Sequence, residues 1–486
     1  MKRILAFDFG ASSGRAILGV FDGQKIALEE IHRFSNDPVL VGGTFYWDVL
    51  RLFHEIKQGI LKAKQAGGFD AVGIDTWGVD FGLLDKDGKL LENPVHYRDA
   101  RNAGMIEKAA ECISKDRMYD ITGIQFMDFN TVFQLYSLKL NRPELLERAD
   151  TLLFMPDLLG YFLTGKKTAE YSIATTSQLV DIHTREWSRE MAEALGLPLS
   201  ILPPIAPTGA VLGKLSDDLC AELGVPPVDV ISVCGHDTQS AVTAVPSAEK
   251  DFAFISCGTW SLFGTELEQP IVNETSKAFN VTNEGGYGYS TAFLKNICGL
   301  WLIQESRRQW KREGSDYSYA ELEKLAVASN PFQCFIDPDA PDFVAPGDMP
   351  GRIKEFCRRT GQYVPQTVGE TVRCIYESLA LKYRHVFNGL KDCTGKDYNH
   401  INVVGGGTKD GLLCAMTAAS CGVPVYAGPI EATVLGNIAV QLMSLGEIKD
   451  IAEARRVIAA GENLKTFDPA DTAAWDEAYE TYVKYL

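Results

Sequence analysis

The chain has 486 residues, of which 46% are hydrophobic, and a formal net charge of −17. Because this length exceeds what one hydrophobic core usually supports, the sequence predicts two domains of ordinary size. The excess of acidic side chains repels phosphate polyanions at long range, which argues against nucleic acid as a partner.

The amino terminus and the cysteines bear on the cellular compartment. Asp8 interrupts the first apolar run before a signal-peptide core can form, and no apolar stretch is long enough for a membrane span. The 11 cysteines include no CxxC pair, which favours reduced thiols in a cytoplasmic protein. The spacings of Cys414 and Cys421 and of Cys357 and Cys374 allow thiols to approach each other, although single buried thiols are the commoner arrangement.

The first half of the chain alternates between strand and helix patterns. An apolar run at residues 3–9 is followed by a glycine- and serine-rich turn and a second apolar run at 15–21, so we expect a strand, a turn and a returning strand. Apolar residues recur at helical spacing over 48–66. Residues 71–74 have the composition of a buried parallel strand.

The second half begins in the same way as the first. A strand predicted at 228–234 leads into Gly235-His-Asp-Thr238, and a new strand is predicted at 251–257. The turn Gly258-Thr-Trp-Ser261 and a returning strand at 262–266 follow it. This is a weak repeat of the opening hairpin.

The rest of the second half continues the alternation of helices and strands. An amphipathic helix is predicted near 294–310, and a strand at 401–404 precedes three glycines at 405–407. Alternation of this kind predicts a parallel sheet covered by helices. We therefore expect two α/β domains, 1–245 and 246–486.

The opening turn, Asp8-Phe-Gly-Ala-Ser-Ser-Gly-Arg15, is a candidate phosphate site. Small residues expose backbone N–H groups and two hydroxyls that suit phosphate oxygens, and the carboxylate of Asp8 suits hydrated Mg²⁺. An ordinary β-hairpin explains the same pattern. The letters also match the GxSxG turn that would make Ser12 a hydrolase nucleophile, but that turn leads into a helix, whereas residues 15–21 are predicted as a strand.

Two further segments are candidates for chemistry. Asp237 follows a predicted strand and Gly235, so it is the candidate general base; a helix cap or an ion-pair partner is the alternative for a single aspartate. Gly405 to Gly407 end a strand and open a helix, which offers N–H groups to a phosphate or to adenosine, unless they form only a tight turn. Neither a P-loop nor a dinucleotide fingerprint is present.

Several of these segments, in this order, resemble the FGGY family of carbohydrate kinases, and the resemblance extends over essentially the whole chain. The general family segments are residues 8–15, 235–238, 258–261 and 405–407. Further segments resemble the members that phosphorylate L-rhamnulose: 73–81, 97–99, 123–126, 283–286, 294–297 and 299–302. Residues 130–139 depart from the general family pattern, which indicates a subgroup of its own.

The resemblance implies two ribonuclease H-like domains of the actin-like ATPase type that flank a catalytic cleft. It implies transfer of the ATP γ-phosphoryl group to O1 of L-rhamnulose, with Asp237 as proton acceptor and Asp8 as the residue that positions Mg²⁺. The residues expected to bind ATP are Ala11, Ser12, Ser13, Gly14, Arg15, Thr259, Gln304 and Gly407. The residues expected to bind the sugar are Gly78, His236, Asp237, Thr238 and Asn296.

Two side-chain arrangements and two alternative functions complete these expectations. Asn296 and Gln304 fall on one predicted helix and are expected to share a face, while Trp77 either stacks on the sugar or belongs to the core. The alternatives are a kinase for another ketose, such as L-fuculose or D-xylulose, and a nucleotide-dependent binding protein on the same scaffold.

Overall fold

The computed structural model describes all 486 residues, and the chain divides into two compact units. The first unit comprises residues 1–248, 266–293 and 432–462. The second comprises residues 249–265, 294–431 and 463–486. The first unit therefore includes two segments that follow residue 245 in the sequence. None of the helices combines the length and the apolarity that a membrane crossing requires.

Strands and helices alternate along both units. The strands are β1 (Lys2–Phe9), β2 (Ser13–Phe21), β3 (Ile26–Ser35), β4 (Val39–Val41), β5 (Thr44–Tyr46), β6 (Ala71–Thr76), β7 (Phe81–Leu84), β8 (Thr151–Phe154), β9 (Ala169–Glu170), β10 (Val180–Asp181), β11 (Glu186–Trp187), β12 (Ile205–Ala206), β13 (Ala210–Lys214), β14 (Asp229–Ser232), β15 (Ala253–Cys257), β16 (Trp260–Leu267), β17 (Thr282–Gly285), β18 (Thr291–Cys298), β19 (Ile401–Val404), β20 (Val425–Ala427) and β21 (Lys465–Phe467). The α-helices are α1 (Val49–Gln65), α2 (Met105–Ala110), α3 (Lys115–Thr122), α4 (Thr131–Asn141), α5 (Pro143–Arg148), α6 (Met155–Thr164), α7 (Tyr171–Thr175), α8 (Arg189–Leu195), α9 (Asp217–Leu223), α10 (Asp237–Thr243), α11 (Glu274–Phe279), α12 (Trp301–Arg312), α13 (Tyr319–Val327), α14 (Met349–Arg359), α15 (Val368–Thr394), α16 (Gly411–Cys421), α17 (Ala432–Ser444), α18 (Ile451–Gly461) and α19 (Thr472–Tyr482).

The first unit is built on a mixed sheet with the strand order β13-β14-β6-β1-β2-β3. Strands β1, β6 and β14 run parallel, whereas β2, β3 and β13 run antiparallel to their neighbours. The apolar runs predicted as buried strands are buried, including the side chains of Leu5, Phe7 and Val72. Because parallel strands end at the same edge of a sheet, the residues that follow β1, β6 and β14 are brought close together.

Helix α17 completes the first unit although it lies near the end of the chain. It packs against α10, and Gly436 permits the close approach, since a Cβ at this position would lie 1.8 Å from the carbonyl oxygen of Ser240. The side-chain amide of Gln441 donates to the carbonyl of Leu5 at 3.1 Å. The helix is thereby hydrogen-bonded to the strand that carries Asp8.

The second unit has the strand order β18-β16-β15-β19-β20-β21, in which β15, β19 and β20 run parallel. Its first turn repeats the opening hairpin of the chain. The N–H of Gly258 donates to the carbonyl of Trp260 at 2.8 Å, as that of Gly10 donates to the carbonyl of Ser13 at 2.9 Å. The predicted internal repeat thus corresponds to the same strand-turn-strand arrangement in each unit.

One predicted helix is wrong over its first seven residues, 294–300. Residues 294–298 form the end of strand β18, and the helix begins at Trp301. A close approach at Gly299 separates the two elements, because a Cβ there would lie 2.3 Å from the hydroxyl of Ser261. Asn296 therefore lies on a strand and Gln304 on a helix, so the expectation that they share one helical face is also wrong.

Candidate active site

The candidate site residues of the first unit meet where three parallel strands end. Asp8 lies near the end of β1 and is paired across the sheet with Asp75 of β6. The N–H of Thr76 donates to the carbonyl of Gly235 at 2.8 Å, which places the end of β6 beside the residues that follow β14. Asp237 is the first residue of α10. The predicted residues Asp8 and Asp237 therefore belong to one edge of the sheet.

The opening turn is a β-hairpin that a neighbouring asparagine supports. The side-chain amide of Asn36 donates to the carbonyl of Gly10 at 2.9 Å, and its backbone N–H donates to the carbonyl of Ser12 at 3.1 Å. Ser12 is exposed, and Ala11 and Ser13 are half-buried. Because β2 follows the turn, the arrangement is not a nucleophile elbow, and the hydrolase alternative is excluded.

Three carboxyl groups lie at this edge of the sheet. Burial, reinforced by the charge of Asp8, raises the pKa of Asp75 well above its usual value, and Asn437 donates to this group at 2.6 Å. Asp8 forms an ion pair with Arg15. Burial raises the pKa of Asp237 to about 6, with the charge of Asp8 adding to the shift and that of His236 opposing it. Asp237 thus titrates close to neutral pH, as a general base requires.

The side chain of Asp237 is held at the start of its helix and remains accessible. It is 32% exposed, and its Oδ1 accepts hydrogen bonds from the N–H of Thr238 at 2.6 Å and from the hydroxyl of Thr238 at 3.3 Å. The Nε2 of His236 lies 3.6 Å from the same oxygen. One carboxylate oxygen is therefore oriented by its neighbours.

His236 faces an acidic partner that lies 48 residues further along the chain. Its Nδ1 lies 3.0 Å from Oε2 of Glu284, and the side chain of Gln239 donates to that same oxygen at 3.0 Å. Burial alone lowers the pKa of His236, but the charge and hydrogen bonding of Glu284, together with the charges of Asp237 and Glu170, outweigh burial and raise the pKa. The other ring nitrogen, Nε2, faces Gly78, where a Cβ would lie 3.3 Å from it. The raised pKa favours the protonated imidazole, a form in which Nε2 is a hydrogen-bond donor for a polar ligand.

Aromatic side chains surround a second buried aspartate, Asp80. Its carboxylate accepts hydrogen bonds from the indole N–H groups of Trp47 at 2.6 Å and Trp77 at 3.0 Å, from the amide of Gln134 at 3.0 Å and from the N–H of Tyr97 at 3.1 Å. Four donors already bind the oxygens of Asp80, so this carboxylate orders the aromatic side chains around it. Trp77 is 5% exposed and belongs to the core.

In the second unit, the turn after β15 brings Thr259 and Gln304 together. The hydroxyl of Thr259 donates to Oε1 of Gln304 at 3.3 Å. The N–H of Trp301, which opens α12, donates to the carbonyl of Thr259 at 3.0 Å. The start of the helix is thus tied to the turn, which explains why a residue one turn into α12 reaches Thr259.

The three glycines after β19 pack against the end of β15. Gly405 has a φ of 86°, which favours glycine, and a Cβ on Gly407 would lie 2.2 Å from the sulfur of Cys257. Cys257 immediately precedes the turn that carries Thr259. The structure therefore brings Thr259, Gln304 and Gly407, all predicted to contact ATP, into one part of the second unit.

The sequence matches two domains of one family. Residues 3–244 match the N-terminal domain, and residues 253–445 the C-terminal domain, of the FGGY family of carbohydrate kinases. The chain belongs to the FGGY family of carbohydrate kinases. It is therefore a sugar kinase, a phosphotransferase whose substrates are a sugar and ATP.

Known FGGY kinases resemble the chain over its whole length. It is 45% identical to a rhamnulokinase from Bacteroides thetaiotaomicron (98% of each chain) and 43% identical to one from Halalkalibacterium halodurans (97% of this chain, 100% of the relative). A ligand-bound xylulose kinase from Lactobacillus acidophilus has the same fold, with a TM-score of 0.83 at 17% identity over 100% of this chain and 97% of that one. The predicted two-domain fold, of the actin-like ATPase type characteristic of FGGY kinases, is confirmed.

One residue that the sequence analysis missed supports the turn that carries Asp237 in this FGGY kinase. Glu170 is 1% exposed, and its carboxylate accepts the N–H of Gly235 at 2.9 Å. It also accepts from the N–H groups of Ser172 at 2.9 Å and Ile173 at 3.1 Å and from the hydroxyls of Ser172 and Thr208. No motif marked Glu170, because Gly235, the partner that links it to the turn, is 65 residues distant in sequence. The same is true of Glu284, although it lies in a segment that carries the resemblance.

Proposed function

We propose that this kinase transfers the γ-phosphoryl group of ATP to O1 of L-rhamnulose, giving L-rhamnulose 1-phosphate and ADP, in the cytoplasmic catabolism of L-rhamnose. The observation that carries the chemistry is the accessible carboxylate of Asp237, whose pKa of about 6 suits a base at neutral pH. The full-length similarity to relatives named rhamnulokinase supports the choice of sugar. No feature of the first unit favours a binding protein without kinase activity.

In the proposed reaction, Asp237 accepts the proton of the attacking hydroxyl as the O–P bond forms. Thr238 holds one carboxylate oxygen, so the other is directed to the substrate. His236, whose pKa is raised by Glu284, donates from Nε2 to a sugar oxygen in the space beside Gly78. Asn296 of the second unit is the remaining proposed sugar contact. Phosphoryl transfer depends mainly on such positioning and on charge neutralisation.

The proposed ATP contacts follow from the two hairpin turns. In the first unit, the proposed contacts are the backbone N–H groups and hydroxyls of residues 11–14 and the guanidinium of Arg15. In the second unit, they are Thr259, Gln304 and Gly407. Their donors suit phosphate oxygens. Gly14 has no room for a side chain, since a Cβ would lie 2.3 Å from the ring of Phe34.

The residues at the end of β1 fit Mg²⁺. A carboxylate is a hard oxygen ligand, and Mg²⁺ beside nucleotide phosphates usually keeps several waters and takes one or two carboxylates. Asp8 offers such a group next to the exposed turn, and Arg15 balances its charge. Mg²⁺ supplies neutralisation of charge on the β- and γ-phosphates when it is bound with ATP.

Replacement of Asp8 by asparagine is expected to raise the Mg²⁺ concentration needed for half-maximal activity by about 10–100-fold, as for other residues that orient a hydrated metal. Initial rates at fixed ATP and varied free Mg²⁺ measure this. Asp22→Asn, at the far end of β2 and exposed, is the matched control and should leave the requirement unchanged. An unaltered requirement in Asp8→Asn would remove Asp8 from the metal site.

L-Rhamnulose is expected to give a higher kcat/KM than L-fuculose or D-xylulose. Specificity is a ratio of kcat/KM values, and a site that hydrogen-bonds particular hydroxyls discriminates against sugars that place them differently. Sugar-dependent ADP release, with phosphorus NMR of the product to locate the phosphate, tests both the substrate and the position. A higher kcat/KM for a rival ketose would make the substrate assignment wrong within a correct family.

The kcat/KM for the sugar is expected to fall about tenfold per pH unit below pH about 6. The direction follows because Asp237 accepts a proton only when it is ionised, and its raised pKa moves that ionisation into this window. A stopped assay from pH 5 to 8, with the coupling enzymes kept out of the reaction, measures the profile. A profile that is flat down to pH 5 contradicts a base with this pKa.

A further inference from the structure

Three buried cysteines converge in the second unit, and none of them is used in the proposed reaction. The sulfur atoms of Cys334, Cys357 and Cys374 all lie within 4.8 Å of one another. The three residues are 3%, 0% and 2% exposed. Cys334 precedes α14, Cys357 belongs to α14 and Cys374 to α15. The sequence spacing of Cys357 and Cys374 allows these two thiols to approach each other, and the fold adds the third.

The separations suit ligands around one ion. Thiolates bind metals such as zinc at about 2.3 Å, so three sulfurs around a central ion lie roughly 4 Å apart. From the observed spacing of 4.8 Å or less, the cluster closes on an ion with shifts of about 1 Å or less. A disulfide uses only two of the three thiols and requires a sulfur separation of about 2 Å.

Hydrogen bonds hold the segments that carry the three thiols. The side chain of Gln362 accepts the N–H of Phe335 at 2.8 Å and donates to the carbonyl of Phe335 at 2.9 Å, and its own N–H donates to the carbonyl of Cys357 at 2.9 Å. The N–H of Ile336 donates to the hydroxyl of Ser378, one turn after Cys374, at 2.9 Å. The neighbours of Cys334 are thus tied to both helices, which preorganises the cluster.

We propose that Cys334, Cys357 and Cys374 form a binding site for one soft d¹⁰ cation, held by three thiolates. Thiolate ligands select such cations, and three sulfurs around one ion give trigonal coordination. Binding forms three metal–sulfur bonds and releases the three thiol protons to solvent, so a divalent ion leaves the cluster with a single negative charge. The ion joins a loop and two helices, and its role is to stabilise the second unit.

Cadmium is the probe, because Cd²⁺ bound to thiolates absorbs in the ultraviolet. Full-length protein, fully reduced and freed of excess thiol, is titrated with Cd²⁺ and compared with Cys374→Ser and with Cys421→Ser, a cysteine of α16 outside the cluster. We expect one Cd²⁺ per chain, a charge-transfer band and a higher Tm for the wild type and for Cys421→Ser. Cys374→Ser should lose the band and the increase in Tm.

Two results would overturn the site. One is a band of equal size in Cys374→Ser, or none in the wild type. The other is a disulfide between two of the three residues in protein purified without reductant, identified by peptide mass spectrometry. If Cys374→Ser does not fold, Cys334→Ser, which lies outside the helices, replaces it and has the same expected result.

Discussion

Replacement of Asp237 by asparagine is expected to lower kcat for sugar phosphorylation by roughly 10²–10⁴-fold, the range typical for loss of a general base. Asparagine keeps the size of the side chain and still accepts hydrogen bonds from Thr238, but it cannot take the hydroxyl proton. The affinity for ATP should change little. Steady-state kinetics and nucleotide binding by calorimetry measure the two effects separately.

The stability of Asp237→Asn should match or exceed that of the wild type at pH 7. Because the pKa of Asp237 is raised in the folded state, the acid stabilises the fold at low pH, and this contribution is lost as pH rises through about 6. Asparagine carries no charge at any pH, so the variant avoids this loss of stability. Asp229→Asn, on β14 and 31% exposed, is the matched control with normal kcat. If a folded Asp237→Asn enzyme keeps a kcat within a few-fold of the wild type, Asp237 is not the base. Asp8 is then the next candidate, because the oxygens of Asp80 are already bound by four hydrogen-bond donors.

Replacement of Glu170 by alanine is expected to destabilise the protein by roughly 3–5 kcal/mol. The substitution leaves the buried N–H groups of Ser172, Ile173 and Gly235 without their acceptor, and each unsatisfied group costs about 1–3 kcal/mol. Denaturant unfolding measures the loss. Glu190→Ala, which removes an exposed ion pair with Arg117, should change stability by less than about 1 kcal/mol.

A positioning role for Glu170 has a signature beyond stability. Glu170→Gln keeps an acceptor for the N–H of Gly235, but its side-chain NH₂ group faces other hydrogen-bond donors, so the turn before Asp237 shifts. We therefore expect a folded enzyme in which kcat falls more than the KM for ATP rises. The pH below which kcat/KM falls should also change, because the turn that carries Asp237 has shifted. If Glu170→Ala melts like Glu190→Ala, the carboxylate does not hold this turn.

The elements that the sequence by itself determined are those whose signals are local. The opening hairpin, helix α1 and the strand before Gly235 follow from apolar periodicity and from glycine turns over a few residues. The motifs that carry the resemblance are also contiguous, so the family, the fold class and the kinase activity were predicted correctly. The start of the helix predicted from residue 294 was wrong because apolar residues three or four apart fit both a helix and a buried strand, and pairing with β16 decided in favour of the strand.

The tertiary structure alone decided which distant side chains meet. Asn437 reaches Asp75 across 362 residues of chain, and Glu170 reaches the N–H of Gly235 across 65. The partnership of Glu284 with His236 and the addition of Cys334 to the other two thiols have the same origin. These contacts depend on packing and on the burial of charge, which raise the pKa values of Asp75 and Asp237 and leave no periodic pattern in the sequence.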